Sequence, residues 1–269
     1  MVASSAQAAP LSQARLGARL SDQGGIWSDV RVIAETGSTN EDVLALASAG
    51  APEGLVIAAE AQTAGRGRQG RTWRSVPRAA LTFSVLLRPA AVPRVVRGWV
   101  PLLAGVAAAT ALRAATGIDA RLKWPNDILA DGGKLAGILA EQSDDAIVVG
   151  IGINVSGGPE DLPVATATSL ELHGARDTDR TELLADLLCQ VDRWYQLWTG
   201  AGGDADACGL RAEYLRLSAT IGSMVRVELP AGRFLTGQAT GIDPTGRLLV
   251  TSGKGAVIPV SAGDVMHVR

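Results

Sequence analysis

The chain has 269 residues, enough for one large domain or for a large and a small one, each with a buried core. Its 25 Lys and Arg nearly balance its 27 Asp and Glu, which excludes a strong overall attraction to nucleic acid or to an anionic membrane. Cys189 and Cys208 lie far apart without zinc-ligand spacing, which disfavours a zinc site and a disulfide-built fold. We expect two reduced thiols and a cytoplasmic protein.

Residues 1–28 are predicted to form a partly disordered N-terminal extension with one short helix, around Leu11 to Leu20. The segment lacks the basic and apolar stretches of a secretory signal. It is also too short for a winged helix or any other independent DNA-binding module. We therefore expect no specific DNA binding.

Residues 29–219 are predicted to form a larger α+β domain with a mixed sheet. "VRVIAET", "GLVIAAE" and "LTFSVLLR" are typical of strands, and "STNEDVLALASAG" is typical of a helix that ends at Gly50. The apolar run from Trp99 to Leu112 is shorter than the roughly 18 to 20 residues that span a bilayer, so we predict a buried helix. Strands follow at "ARLKW", "DILAD", "KLAGILAEQ" and "AIVVGIGINV", and then helices at about 181–198 and 204–218.

Residues 220–269 change character and are predicted to form a small five-stranded barrel. The strands are "MVRVELP", "GRFLTGQATGI", "RLLVTS", "AVIPV" and "VMHVR". The turn sequences "PAG", "DPTG" and "GKG" separate them.

The segment "TAGRGRQGRTW", from Thr63 to Trp73, concentrates positive charge in a glycine-rich loop. Nine arginines and no acidic residue lie between Glu60 and Asp119. Glycines let successive backbone N–H groups point at one anion, and arginines supply forked donors for phosphate or carboxylate. Trp73 offers a flat surface for a base, worth about 1–3 kcal/mol when stacked. The sequence has no GxxxxGK[ST] motif, which excludes a P-loop ATPase.

Four further segments admit either a structural or a functional interpretation. In "GSTN", Ser38 and Glu41 have the spacing of a capping box, although hydroxyls at a helix N-terminus can also hold a polar ligand. "KWPND" is either a strand-to-strand corner or part of a site. Lys134 in "GGKLAGILAE" is either a solvated strand end or a functional cation. Asn154, at the end of "GIGINV", either contacts a purine or caps the next turn.

In this order, the five segments "GSTN", "AEAQTAGRGRQGRTW", "KWPND", "GGKLAGILAE" and "GIGINV" closely resemble the motif series of biotin protein ligases. The resemblance runs from about residue 30 to the C-terminus. It implies a mixed β-sheet flanked by helices, like the catalytic domain of class II aminoacyl-tRNA synthetases and biotin/lipoate ligases, with a C-terminal SH3-like β-barrel. Residues 29–219 would then be a catalytic biotin/ATP-binding domain.

The resemblance also implies a two-step reaction. Biotin and ATP would give biotinyl-5′-AMP and pyrophosphate, and a lysine of a biotin carboxyl carrier protein would then take the biotin. Mg²⁺ is expected with ATP, and no metal site of the protein itself is expected. The acceptor would be the carrier domain of an acetyl-CoA, acyl-CoA or pyruvate carboxylase, and the enzyme a monomer or weak homodimer that binds no membrane. Many bacterial members also repress biotin genes, but residues 1–28 predict a ligase without that function.

The site residues carried over by the resemblance fall into four groups. The catalytic residues would be Lys134, Arg68 and Arg66. Biotin would be bound by Ser38, Thr39, Asn40, Gln62, Gly65, Arg66, Arg68, Lys134 and Gly137. ATP or AMP would be bound by Arg66, Arg68, Arg71, Trp73, Lys134 and Asn154. Asn126 and Asp127 would support the site or the incoming lysine of the carrier.

Two other functions fit parts of this sequence. A lipoate–protein ligase or octanoyltransferase would share the catalytic fold, but the "SGGG" or "RGG" run with a nearby "YH" that is usual in those relatives is missing. A nucleic-acid-binding module could use the Arg/Gly loop and Trp73. The slightly acidic overall balance and the single RGR sequence count against it.

Overall fold

The computed structural model describes residues 8–74, 76–162, 164–229, 233–261 and 263–268. The chain divides into two compact units, each formed by two stretches of sequence. The first unit comprises the residues up to Arg88 together with Gly133–Cys189, and the second comprises Pro89–Gly132 together with the residues from Gln190 onward. The predicted domain boundaries after residues 28 and 219 stay predictions.

Five α-helices and twelve strands follow one another along the described chain. They are α1 (Gln13–Gln23), β1 (Asp29–Thr36), α2 (Thr39–Ser48), β2 (Leu55–Gln62), β3 (Ala80–Leu87), α3 (Val100–Thr116), β4 (Arg121–Lys123), β5 (Asp127–Ala130), β6 (Gly133–Ser143), β7 (Ala146–Asn154), α4 (Arg180–Gly200), α5 (Leu210–Leu217), β8 (Met224–Leu229), β9 (Arg233–Ile242), β10 (Leu248–Ser252), β11 (Val257–Val260) and β12 (Asp264–His267).

The strands of the first unit form the mixed sheet that the sequence predicts. Their order is β1-β2-β3-β7-β6, with β1 parallel to β2 and the other neighbouring pairs antiparallel. Helix α2 packs on this sheet through Val43 and Ala47, which join a buried cluster with Ile57, Leu86 and Val148. The N-terminal end of α2 is thereby fixed over the middle of the sheet.

Helix α3 of the second unit is the buried apolar helix expected from the sequence. Pro101 stands at its first turn, and Gly117, with a φ of 72°, ends it in the left-handed conformation. The helical segment Arg94–Thr116 is long and apolar enough to cross a membrane, but 72% of its apolar window is buried inside the protein. Its hydrophobic surface therefore belongs to the protein interior.

The helix predicted at about 204–218 is shorter than expected. Asp204 instead accepts hydrogen bonds from the N–H groups of Asp206 and Ala207 in a turn. Gly209 then has a φ of 77°, which cannot continue a right-handed helix, so α5 begins only at Leu210. The predicted start at Asp204 is wrong because the aspartate side chain stabilises a turn there.

The last five strands form an antiparallel sheet in the order β11-β10-β9-β8-β12. The predicted five strands are confirmed. The pairings among the described residues place β11 and β12 at the two ends of this sheet and show a small β-sheet domain, and its closure into the expected barrel stays a prediction.

The turn between β9 and β10 is organised by one buried carboxylate. Asp243 Oδ1 accepts hydrogen bonds from the N–H groups of Thr245, at 2.8 Å, and Arg247, at 3.0 Å. Asp243 Oδ2 accepts from Arg247 Nε at 2.6 Å. Burial raises the pKa of Asp243, but the hydrogen bonds from Arg247 and Thr245 outweigh it, so the pKa lies below its ordinary value.

We predict that Asp243→Asn lowers the free energy of unfolding by about 1.5 kcal/mol at pH 7, because the amide loses the charge-assisted bond to Arg247. The lowered pKa makes this contribution complete above the ordinary aspartate pKa of about 3.9, and it is lost as the pH falls through the folded-state value. Urea unfolding of both proteins between pH 7 and pH 3 measures it. A difference that stays constant down to pH 3 would contradict this account.

Candidate functional site

On one face of the first unit's sheet, two adjacent rows of register partners contain glycines in place of larger side chains. Residues paired across antiparallel strands project to the same face, so each row marks side chains, or their absence, on one surface. The rows across β3, β7 and β6 are Thr82–Gly152–Gly137 and Ser84–Gly150–Leu139. Glycine in a strand interior typically marks a close approach by another group.

Trp73 lies on the first of these rows. A methyl group on Gly152 would be only 2.5 Å from Trp73 Cε2, and one on Gly137 would be 3.3 Å from Trp73 Cζ3. The methyl position on Gly137 is also 3.5 Å from Lys134 Nζ. The structure therefore brings an indole ring and an ammonium group together above Gly137 and Gly152, where a larger side chain on the sheet would collide with them.

The arginine-rich segment before Trp73 is a small hairpin closed by its own backbone. Trp73 N–H donates to Gly65 O at 2.9 Å, and Gly67 N–H donates to Arg71 O at 2.7 Å. The tip turns through Gln69 and Gly70, whose φ values are 56° and 72°. Since a left-handed pair reverses the chain here, the arginine side chains are carried on a compact backbone.

The predicted capping box at the start of α2 is wrong. Ser38 occupies the N-cap position and is buried, but within the described residues its hydroxyl makes no capping hydrogen bond. The N–H of Thr39, the first residue of the helix, donates to Gln62 Oε1 from the end of β2, at 2.8 Å. A side chain distant in sequence therefore satisfies one of the backbone donors that this helix end leaves without an intrahelical partner.

A chain of polar contacts runs from this helix end to the arginine hairpin. Thr39 Oγ1 is 3.2 Å from Gln62 Oε1 and 2.7 Å from Ser84 Oγ. Ser84 Oγ donates to Asn40 Oδ1 at 2.6 Å, and Asn40 Nδ2 donates to Glu141 Oε2 at 2.8 Å. Glu141 Oε1 lies 3.0 Å from Arg66 Nη2. We call this set the polar network: Gln62, Thr39, Ser84, Asn40, Glu141 and Arg66.

The polar network fits only because residue 150 is glycine. A methyl group on Gly150 would overlap Asn40 Oδ1 and would lie 2.9 Å from Asn40 Cγ. Thr39, Asn40 and Ser84 are all buried, so their polar atoms depend on one another for hydrogen bonds. The amide of Asn40 is consequently held in one orientation above the sheet.

Lys134 and Asn154 are tied to the same surface loop. Lys134 N–H donates to Thr166 O at 2.7 Å, and Lys134 O accepts from Thr168 N–H at 2.9 Å. Asn154 is buried and its Nδ2 donates to Thr168 O at 2.9 Å. The amide nitrogen of Asn154 therefore fixes the segment that holds the backbone of Lys134, and its nucleotide contact stays a prediction.

The first unit contains all the predicted site residues except Asn126 and Asp127. These two belong to the second unit, where Asp127 begins β5 opposite Lys123. Within the first unit, the polar network and the pair formed by Trp73 and Lys134 occupy neighbouring rows of one sheet face. Among the described residues, no group of three or more His, Cys, Asp or Glu side chains could hold a metal ion.

Comparisons with known proteins match two parts of the chain to family models and most of the chain to known relatives. Residues 32–157 match the Biotin/lipoate A/B protein ligase family, and residues 220–268 match the Biotin protein ligase C terminal domain. A biotin–[acetyl-CoA-carboxylase] ligase of Mycobacterium tuberculosis is 43% identical over 264 residues, which cover 97% of each chain. The chain belongs to the biotin protein ligase family.

A second relative and a solved structure also match this member of the biotin protein ligase family. The bifunctional ligase/repressor BirA of Bacillus subtilis is 34% identical over 81% of this chain and 68% of its own. The solved structure of the Aquifex aeolicus biotin protein ligase, in complex with biotin and ATP, superposes with a TM-score of 0.76 at 29% identity. That match covers 90% of this chain and all of the other, which confirms the predicted catalytic fold.

Sequence reasoning missed four residues that shape the site of this family member. Gly150 and Gly152 stand inside a predicted strand, and interior glycines were an available signal for close packing. Ser84 was visible only as a polar residue in an apolar strand. Glu141 is the last residue of the segment "GGKLAGILAE", but nothing in the sequence indicates that it contacts Arg66.

We predict that Gly150→Ala lowers the free energy of unfolding by about 1–3 kcal/mol, because the new methyl group displaces Asn40 and breaks its buried hydrogen bonds. Urea unfolding measures the change. Gly241→Ala is the matched control, since a methyl group there would meet only Leu249 Cδ1, at 3.8 Å. Equal stability of the two variants would contradict the tight fit of Asn40 over Gly150.

Proposed function

We propose that this chain is an ATP-dependent biotin protein ligase. It would join biotin and ATP to form biotinyl-5′-AMP and pyrophosphate, and then transfer biotin to a lysine of a biotin carboxyl carrier protein. The observation that carries the proposal is the convergence of the polar network, Lys134 and Trp73 on one glycine-floored sheet face. Membership of the biotin protein ligase family supports the choice of substrates.

The start of α2 suits the ureido group of biotin. A ureido group offers one carbonyl acceptor and two N–H donors, so it needs several fixed polar partners. Among the described residues, the Ser38 hydroxyl makes no capping hydrogen bond. The Gln62 side chain is held in one orientation because its Oε1 accepts a hydrogen bond from Thr39 N–H. A buried site of this kind rejects analogues without the ureido group by roughly 10⁴-fold, since its polar groups would be left unpaired.

Positive charge suits the reacting end of the substrates. In the first step a carboxylate approaches an α-phosphate, a repulsion of about 4 kcal/mol at 4 Å for an effective dielectric constant of 20. Lys134, Arg66 and Arg68 would offset this repulsion and stabilise the charge that develops in the transition state. Arg71, Trp73 and Asn154 would bind the nucleotide.

The protein would supply position and charge and would not act as a nucleophile. The attacking groups are the biotin carboxylate in the first step and the carrier's lysine amine in the second. Mg²⁺ would arrive with ATP as part of the substrate. Asn126 and Asp127 would order the site or the incoming lysine.

The setting of the reaction is part of the proposal. The carrier would be the acceptor domain of an acetyl-CoA, acyl-CoA or pyruvate carboxylase. The enzyme would act in the cytoplasm as a monomer or weak homodimer, without specific DNA binding. The name of the M. tuberculosis relative, a biotin–[acetyl-CoA-carboxylase] ligase, supports this class of partner.

Biotin-dependent exchange of labelled pyrophosphate into ATP tests the first half-reaction. We expect exchange with biotin and none with lipoate or octanoate, because the polar partners at the start of α2 match a ureido ring and an acyl chain offers nothing to them. The matched family includes lipoate ligases, so the comparison of acids discriminates between the two activities. Exchange with lipoate or octanoate but not biotin would contradict the proposal.

We predict that Lys134→Ala reduces biotin-dependent exchange by at least about 100-fold, the size expected for one lost donor that stabilises transition-state charge. The backbone contacts of Lys134 to Thr166 and Thr168 do not depend on its side chain and should be retained, and the thermal midpoint checks that the variant folds. Lys254→Ala, in an exposed turn, is the matched control and should retain wild-type exchange. Near wild-type turnover of Lys134→Ala would contradict a catalytic role and would favour the interpretation of Lys134 as a solvated strand end.

A further inference from the structure

We infer that Glu141 is a positioning residue for the first step of the reaction, and that it acts by holding Arg66. Nothing in the motif series assigns a role to Glu141. The inference rests on the proposed function, because it concerns how Arg66 is presented to the reacting carboxylate and phosphate. The supporting observation is that the two carboxylate oxygens of Glu141 contact two different residues, Asn40 and Arg66.

Each oxygen of Glu141 has a different partner. Oε2 accepts from Asn40 Nδ2 at 2.8 Å, and Oε1 lies 3.0 Å from Arg66 Nη2. The Glu141 side chain is 23% exposed, although Arg66 itself is 44% exposed. The carboxylate therefore connects a buried amide to a half-exposed arginine on the hairpin.

Asn40 gives this connection its rigidity. Its Oδ1 accepts from the fully buried Ser84 hydroxyl, and its Nδ2 also lies 3.2 Å from Leu139 O. Gly150 supplies the space in which the amide sits. Glu141 is thus anchored to the sheet on one side, and a long arginine side chain that would otherwise sample many rotamers is restrained on the other.

A second acidic residue near Arg66 shows what distinguishes Glu141. Glu41 Oε1 lies 3.4 Å from Arg66 Nη1, and the Glu41 side chain is 56% exposed. Exposed pairs of this length contribute little, because water screens them and both side chains stay mobile. Glu41 therefore has the charge of Glu141 without its anchor.

Restraint and charge have opposite effects on anion binding at Arg66, so they can be separated. A carboxylate beside Arg66 weakens the attraction of that arginine for a substrate anion. If only charge mattered, neutralising Glu141 would improve binding of ATP or biotin. If position matters, the arginine would be misplaced and turnover would fall.

Glu141→Gln tests the inference because a carboxylate can accept from both Asn40 and Arg66, whereas an amide has one oxygen and would lose one of these two contacts. We expect kcat of biotin-dependent pyrophosphate exchange to fall about tenfold, the loss that corresponds to one charge-assisted hydrogen bond. The KM values for biotin and ATP should change by less than about threefold, since positioning acts mainly on turnover. Glu41→Gln is the control and should stay within about twofold of wild type.

A double-mutant cycle with Arg66→Ala separates positioning from a general structural effect. If Glu141 acts through Arg66, Glu141→Gln should have no further effect on kcat in the Arg66→Ala background. Thermal midpoints identify any variant that fails to fold. Glu141→Asp, which keeps the charge but cannot reach both partners, serves as the second variant and should also lower kcat.

Four results would overturn the inference. The first is wild-type kcat in Glu141→Gln, and the second is an equal loss of kcat with and without Arg66. The third is wild-type kcat in Glu141→Asp when Glu141→Gln does not fold. The fourth is absence of biotin-dependent exchange in the wild-type protein, which would remove the proposed function and this inference together, whereas the first three leave the proposed function standing.

Discussion

The site depends on one buried amide, that of Asn40, and on the missing side chain beneath it. Gly150 leaves the space that Asn40 occupies, and the amide then satisfies Ser84 on one side and Glu141 on the other. Buried polar groups of this kind cost about 1–3 kcal/mol each when their partners are lost. The start of α2, the middle of β3 and the end of β6 are consequently locked into one relative arrangement.

The hydrogen bonds of Asn40 hold the two ends of the proposed substrate-binding site in fixed positions relative to each other. Thr39 and Gln62 are fixed at the end proposed for the ureido ring, and Arg66 is held at the end proposed for the carboxylate and phosphate. Between them, Trp73 and Lys134 lie over Gly137. All of these groups lie on one sheet face. Their fixed positions would let the charged side chains stabilise the transition state of the proposed reaction without rearranging.

Much of the fold follows from local sequence signals. The alternating strands, the helix ended by Gly50 and the apolar helix before Gly117 were predictable from periodicity and from proline and glycine placement. The late start of α5 was not, because Asp204 and Gly209 favour a turn inside a helix-like pattern. The strand order of the C-terminal sheet, in which β8 pairs with β12, depends on pairing between distant strands, which local patterns do not specify.

The candidate site was only partly predictable for the same reason. The motif order located Lys134, Trp73 and the arginine loop, since these residues are unusual in their local context. The capping box predicted at Ser38 is wrong, because among the described residues the buried Ser38 hydroxyl makes no capping hydrogen bond, which the S-x-x-E spacing does not reveal. Glu141 and Ser84 gain their importance from contacts across β3, β6 and α2 that no spacing rule contains.

A crystal structure of the protein with biotinyl-5′-AMP bound tests the central claim most directly, namely that this glycine-floored sheet face is the reaction site. The account predicts the ureido ring within hydrogen-bonding distance of Ser38, Thr39 and Gln62. It also predicts the acyl phosphate beside Lys134 and Arg66, with Glu141 still bridging Arg66 and Asn40. An adenylate bound on another surface, or bound here with the bridge through Glu141 broken, would contradict it.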